Sequence, residues 1–317
     1  MFRSRADVVF WVALVVVFVA SVGATRVVGN EYYFTAGYGI LQAMLMAVAW
    51  NILGGFTGYV NFGSAGFFAL GAYTAVFLDK ALGLPLPLLI AAAAVACGLL
   101  GLGVGYLSLR LKGVYFSIAT LATAVVLETL ITNWRYVGGG RGAYMLAPAK
   151  VPFFGSYVQL LFVVMLVLTL GAIAISRYLN ASRLGRGLAA IRDDEVAAEC
   201  SGVPTLRLKL VSTTLMGALM GIAGAPYPFF VTFVDPSSAF NLFVAVNAIA
   251  MPMIGGTAHW LGPVIGALLV GGTQEVITVT ISSELNVLVV GLMLVVFITL
   301  APRGIVGLVQ QLRRRRA

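Results

Sequence analysis

The sequence predicts an all-α polytopic membrane protein of about ten transmembrane helices. Hydrophobic residues fill 61% of the 317 positions and charged residues only 10%, against about 25% charged in soluble domains. Mean hydropathy is +1.02. Apolar runs of about 20 residues recur along the chain, the length a helix needs to cross ~30 Å of hydrocarbon. No polar stretch between them is long enough for a soluble domain, so residues 1–317 are expected to form one transmembrane domain.

The first span, 8–28, follows Arg3 and Arg5 and has the flanks of a signal peptide. It is longer than an h-region and lacks a small-residue cleavage site, so it is read as a retained helix. Spans 38–53 and 62–79 come next, with Gly54, Gly55, Gly58, Gly63, Gly66 and Gly71 crowded around their junction. Asn61 to Asp79 is short, and a re-entrant path there would change the parity of the count. Span 84–109 ends at Arg110 and Lys112, and span 114–133 contains Glu128. The outer loop 134–156 carries Gly138-Gly-Gly-Arg-Gly142, Pro148 and Pro152. A loop of that length without structure of its own is often functional. Span 157–178 leads into a polar loop, 179–205, and spans 206–230, 240–256, 262–281 and 285–302 complete the set. Gly255-Gly256 and Gly262-Pro263 interrupt this second half. Paired glycine breaks point either to a central pathway between inverted repeats or to tight helix packing.

Ten spans put both termini on one side. Placing that side in the cytoplasm puts fifteen of the twenty Lys and Arg inside and leaves Arg26, Lys80, Arg135, Arg141 and Lys150 outside. Basic residues in short loops resist translocation, so the asymmetry sets the orientation. It also accounts for most of the +9 net charge, and nucleic acid is not needed to explain it. Cys97 in a span and Cys200 in a loop do not suggest a disulfide or a metal pair. The single histidine, His259, lies beside Trp260 and suits a packing role at the membrane interface. A chain so poor in His, Cys and paired acids is not expected to be an enzyme, to bind a metal or to carry a cofactor.

The loop Arg186 to Gly202 holds four of the eleven acidic residues. It reads as a short surface helix, with Asp193 as N-cap and Asp194 and Glu195 in the first turn. Gly202 allows a positive φ at its end, and Pro204 prevents continuation. Ala197 and Ala198 are small enough to let another protein approach, and Leu188-Ala-Ala-Ile191, between Arg186 and Arg192, offers a second apolar patch. An amphipathic helix resting on lipid would be rich in basic residues, and the four acids argue against that.

The stretch Gly185-Arg-Gly-Leu-Ala-Ala-Ile-Arg-Asp-Asp-Glu-Val-Ala-Ala-Glu, with Gly202-Val203, resembles the cytoplasmic coupling motif of branched-chain amino-acid ABC-importer permeases. Three further stretches resemble the same family in the expected order. They are Asn51 to Tyr73 with its glycines, Leu111-Lys-Gly-Val-Tyr115 leading to Ala122, and Met253-Ile-Gly-Gly-Thr followed by Leu261-Gly-Pro-Val-Ile-Gly-Ala267. The likeness is greatest to the permease with the longer coupling loop. It implies the vitamin-B12/branched-chain type of fold in a bacterial plasma membrane. It also implies a second homologous permease, two ATP-hydrolysing subunits and an extracytoplasmic solute-binding protein. Arg186, Gly187, Ile191, Arg192, Asp193, Asp194, Glu195, Ala197, Ala198 and Gly202 would couple the permease to the ATPase. No GxxxxGK[ST] motif is present, so ATP hydrolysis would belong to a partner chain.

Candidate pathway residues are Thr57, Gly58, Asn61, Gly63, Ser64, Tyr73, Tyr115 and Asn247, with Glu128 and Glu275 as the acids placed inside spans. A carboxylate in a span is a functional candidate by default, although one near a helix end can also snorkel to water. Gly58-Tyr-Val-Asn-Phe-Gly63, Arg141, Pro252, His259 and Trp260 depart from the family pattern. These departures keep urea, amides and small carboxylates beside amino acids as expected solutes. A stand-alone secondary transporter is the rival reading, and it would need Glu128 or Glu275 for ion coupling.

Overall fold

A computed structural model describes residues 5–27, 29–108, 111, 113–145, 155–280, 285–301, 304–308 and 311. Among the sequence expectations, Arg3, Val28, Arg110, Lys112, Pro148, Lys150, Pro152, Arg303 and Arg313 to Arg316 lie outside those residues. Fourteen α-helices and one two-stranded ribbon account for most of the described chain. Nine helical stretches among the described residues are long and apolar enough to cross a membrane, and the shorter apolar α14 (Leu285–Leu300) follows them. The segment whose crossing was in question is α3 (Ser64–Leu82), 19 residues long and sufficient for a span.

The core forms around α2 (Tyr32–Thr57), which is buried over 78% of its apolar window, whereas α1 (Arg5–Val27) is buried over only 6%. Trp50 and Tyr38 on α2 are among the largest fully enclosed side chains. Packing around α2 are α6 (Tyr157–Ala181), α9 (Thr205–Gly224), α12 (Leu242–Gly255) and α13 (Leu261–Thr280). The outer helices α4 (Leu86–Ser108) and α5 (Val114–Asn133) keep apolar faces exposed, as lipid or a membrane partner requires.

Glycines set two close helix seams. Along α4 and α9, a Cβ at Gly217 would stand 2.6 Å from the Cys97 carbonyl oxygen, and one at Gly101 would stand 2.7 Å from that of Thr213. At the turn from α12 to α13, a Cβ at Gly255 would lie 1.8 Å from the Gly262 oxygen, and one at Gly262 would lie 1.7 Å from that of Gly256. Without a hydrophobic force between helices in lipid, such close backbone approach is a main source of association. The interruption at Gly255 to Pro263 is therefore a close packing joint between α12 and α13.

The first part of loop 134–156, as far as residue 145, has structure of its own, contrary to expectation. Two 3₁₀ turns, Arg135–Val137 and Gly139–Arg141, lead into β1 (Ala143–Tyr144). This strand pairs antiparallel with β2 (Phe233–Val234), Ala143 opposite Val234. The expected span 206–230 is broken, and a short helix stands before the expected span 240–256. Ala225 and Pro226 separate α9 from α10 (Tyr227–Val231), and α11 (Pro236–Ala239) precedes α12.

The ends of the helices group as alternating passages require. At one end, Arg177 at the close of α6 pairs with Asp7 on α1 at 2.8 Å, and its guanidinium lies 4.1 Å from the Phe10 ring centroid. Trp260, between α12 and α13, packs on Phe10 with centroids 5.2 Å apart. His259 accepts a hydrogen bond from the Leu261 N–H, and its pKa is lowered by burial and then by Arg177, so it stays neutral within the joint. At the other end, the Tyr32 hydroxyl donates to Glu275 at 3.4 Å, close to the side that holds the β1–β2 ribbon.

Candidate functional site

The polar loop is two helices rather than one. α7 runs Arg183–Asp193 and α8 runs Glu195–Cys200. The break falls at Asp194, whose backbone is extended at φ −160° and ψ 111° and whose carboxylate accepts from the Val196 and Ala197 N–H groups at 2.9 and 3.0 Å. Asp194 is thus the N-cap, and Asp193, expected in that role, is the last residue of α7. Two adjacent aspartates cannot be ranked as caps from sequence, because the choice depends on which residue leaves helical φ/ψ. Gly202 does take positive φ, at 80°, after α8.

Three apolar residues of this loop face inward. Leu188 and Ile191 are each 3% exposed, and Ala198 is 4% exposed. Leu188 and Ile191 therefore anchor α7 on the body of the protein and are not free to meet another protein, while Ala189 and Ala190 between them are half-buried. Burying two such side chains contributes about 1.5–3 kcal/mol each. Gly187 lets α9 close in, since a Cβ there would meet the Leu208 side chain at 2.6 Å. Ala198 is likewise not a contact surface. Arg186, Asp193, Val196 and Ala197 remain exposed on the outer side of the unit.

Three ties fasten α7 and α8 to the spans. The Arg192 guanidinium donates to the Gly55 carbonyl of α2 at 3.3 Å, and its stem packs on Gly58, which closes α2 at φ 79°. The Thr205 hydroxyl, at the start of α9, donates to Glu199 at 2.6 Å. The strongest tie is Glu195 with Lys209 of α9, whose Nζ lies 2.6 Å from Oε1. The Lys209 side chain is 3% exposed and that of Glu195 17%. The Tyr59 hydroxyl donates to the other oxygen of Glu195 and accepts from Lys209 at 3.2 Å. The Tyr59 phenol pKa is raised by burial and by its bond to Glu195, which keeps it a donor. Removing one partner of a buried pair strands the other at a cost of about 3–5 kcal/mol. Sequence reading counted Lys209 as a topology marker and passed over Tyr59. Their separation from Glu195 along the chain hid the cluster.

Tyr59 belongs to the elbow Gly58 to Gly63 between α2 and α3. Asn61 shapes this elbow, accepting from the Gly63 N–H at 2.7 Å through its side chain and from the Trp50 indole at 2.9 Å through its carbonyl. Asn61 is 0% exposed, and Thr57, Ser64 and Tyr73 are also buried. A Cβ at Gly63 would lie 2.3 Å from the Thr120 carbonyl oxygen, so α5 is closed onto the elbow. Tyr115 is 71% exposed on the outside of α5. Asn247 accepts from Gln274 at 3.2 Å and links α12 to α13. Of the candidate pathway residues, Thr57 and Gly58 line a cavity of about 770 Å³ together with Ile191, Arg192, Asp194 and Glu195. Glu128 lines a second cavity of about 400 Å³, whereas Glu275 lines neither.

An Asp194→Ala substitution should loosen α8 by about 1 kcal/mol, since it removes a cap, and Asp193→Ala should not. Hydrogen exchange at the Val196 and Ala197 amides would show the difference. Equal exchange in the two variants would contradict the cap assignment.

A bundle of helices long and apolar enough to cross a membrane, with one polar two-helix unit fastened to α2 and α9, is the architecture of a multi-pass membrane protein. Residues 32–298 match the family model described as branched-chain amino acid transport system / permease component, and the chain belongs to that family. It is 26% identical over 288 residues to the high-affinity branched-chain amino acid transport system permease protein LivM of Escherichia coli, covering 83% of this chain and 67% of the relative. LivH of the same organism, a permease protein of the high-affinity branched-chain amino acid system, is 21% identical over 83% of this chain and 90% of its own length. The ribose import permease protein RbsC of Bacillus subtilis is 29% identical over 63% of this chain and 59% of its own.

Proposed function

We propose that this chain is a permease subunit of a binding-protein-dependent ABC importer for branched-chain or other small amino acids. It pairs with a second, homologous permease in the bacterial plasma membrane, with both termini cytoplasmic. Two ATPase subunits bind the cytoplasmic face, and a solute-binding protein delivers solute from outside. The observation that carries this reading is the fastening of α7 and α8 to the spans through Arg192–Gly55, Glu199–Thr205 and the Glu195–Lys209–Tyr59 cluster. A unit held only by lipid would transmit nothing, whereas this one cannot shift without moving α2, α9 or the elbow. Arg186, Asp193, Val196 and Ala197 form the face offered to the ATPase. The prevalence of Lys and Arg in the loops on that side supports the orientation.

The solute reading is supported by the names of LivM and LivH, while RbsC shows that relatives at this distance also serve a sugar. The rival secondary transporter is less well supported. Glu275 is already hydrogen-bonded to Tyr32 near a helix end and lines neither cavity. The test is uptake of labelled leucine into proteoliposomes holding the complex and its binding protein. Uptake should require both ATP and the ATPase chains. Uptake by the purified permease alone would overturn the reading.

A further inference from the structure

The two cavities share one wall. Val114 and Ser117 line the larger, and Leu121, Val125 and Glu128 line the smaller. These residues follow at three- and four-residue spacing along α5, so they form a single stripe on one face of that helix. Phe62 alone, from the elbow opposite, lines both cavities. The cavities therefore follow one another along a groove on the same face of α5, with Phe62 in the wall of both. Beyond it, Glu128 stands with Ser237 and Asn241, and the Glu128 carboxylate has no hydrogen-bond or ion-pair partner among the described residues.

We propose that Phe62 is the gate of this groove and that Glu128, with Ser237 and Asn241, is the station that receives the ammonium group of the solute. The inference rests on the permease reading above. An aromatic side chain at a narrowing excludes water and blocks a polar solute until it moves. The backbone around Phe62 supplies the means. Its N–H donates to the Thr120 hydroxyl of α5 at 3.2 Å, and the Ser117 hydroxyl donates to the Val60 carbonyl at 2.8 Å. Three residues earlier, Tyr59 is held by Glu195 of α8. One short elbow thus joins the helix offered to the ATPase to the residue that both cavities share.

The experiment measures leak of labelled leucine from proteoliposomes containing the whole complex without nucleotide. The parent should hold the solute, and Phe62→Ala should raise the leak by about tenfold or more. Phe62→Trp should stay tight and slow ATP-driven uptake, while its ATPase subunits still co-purify. In the Phe62→Ala complex, leucine should leak about tenfold faster than N-acetylleucine, which lacks the ammonium, and adding Glu128→Gln should remove that preference. Leak of a Phe62→Ala complex no greater than the parent's, with ATPase subunits still bound, would overturn the gate. A preference unchanged by Glu128→Gln would overturn the station. Absence of ATP-driven uptake by the parent would instead overturn the permease reading, and this inference with it.

Discussion

Replacing Ala197 with Arg is expected to strip the complex of its ATPase subunits while the permease still folds and inserts. Ala197 lies on the exposed side of α8, clear of the anchors Leu188, Ile191 and Ala198. A long charged side chain there changes no internal contact, but it places an unpaired charge in the proposed interface. Burying an unmatched charge at the centre of an interface costs several kcal/mol, and each 1.4 kcal/mol is a factor of ten in affinity. Co-purified ATPase per permease should therefore fall by about a hundredfold. Ser238→Arg, exposed on α11 well away from α8, should change nothing. Ala198→Arg would be a poor test, because Ala198 is buried and its loss would disturb the fold first. Full ATPase recovery with Ala197→Arg would show that α8 does not face the ATPase.

Gly262→Ala should prevent recovery of folded protein. The added Cβ would fall 1.7 Å from the Gly256 carbonyl oxygen and 2.6 Å from its carbon. Both are backbone atoms, so no rotamer change can make room, and α12 and α13 must separate. Overpacking costs about 1–3 kcal/mol where side chains can yield, and a backbone neighbour puts this case at or above the upper end. Gly272→Ala in the same helix meets nothing within 4 Å and should be neutral or slightly stabilising. Size-exclusion recovery after a temperature ramp would compare the two. A Gly262→Ala protein as heat-resistant as the Gly272→Ala protein would contradict the close approach of the two helices.

Most spans were legible in the sequence because lipid imposes a length and a polarity on each helix, and runs such as 157–178 and 262–281 satisfy both locally. Where the chain breaks was less legible. The interruption at Ala225-Pro226 sits inside an apolar stretch, and the packing of neighbours reveals that the backbone turns there. The polar loop 179–205 is legible from its acids and its terminal glycine, but its inner face is not. Leu188, Ile191 and Ala198 look available on a helix drawn alone, and they are covered once α7 and α8 lie against the spans. Lys209 is the clearest case of context reversing a reading. By position it counts as one more basic residue near a membrane surface, yet it is enclosed with Glu195 and Tyr59. The roles of the candidate pathway residues were the least legible. Asn61 and Asn247 are polar for structural reasons, and the groove along α5 is lined mainly by Val114, Leu121 and Val125, whose apolar character marks nothing in a membrane helix.

The central claim is that the α7–α8 unit is gripped by a separate ATPase. A photocrosslinking residue at Val196, which is 57% exposed, tests it most directly in native membranes. The account predicts an adduct with an ATPase chain, absent when the same residue is placed at Tyr144 on the β1–β2 ribbon. An adduct only with lipid at Val196, in membranes where the ATPase is abundant, would contradict it.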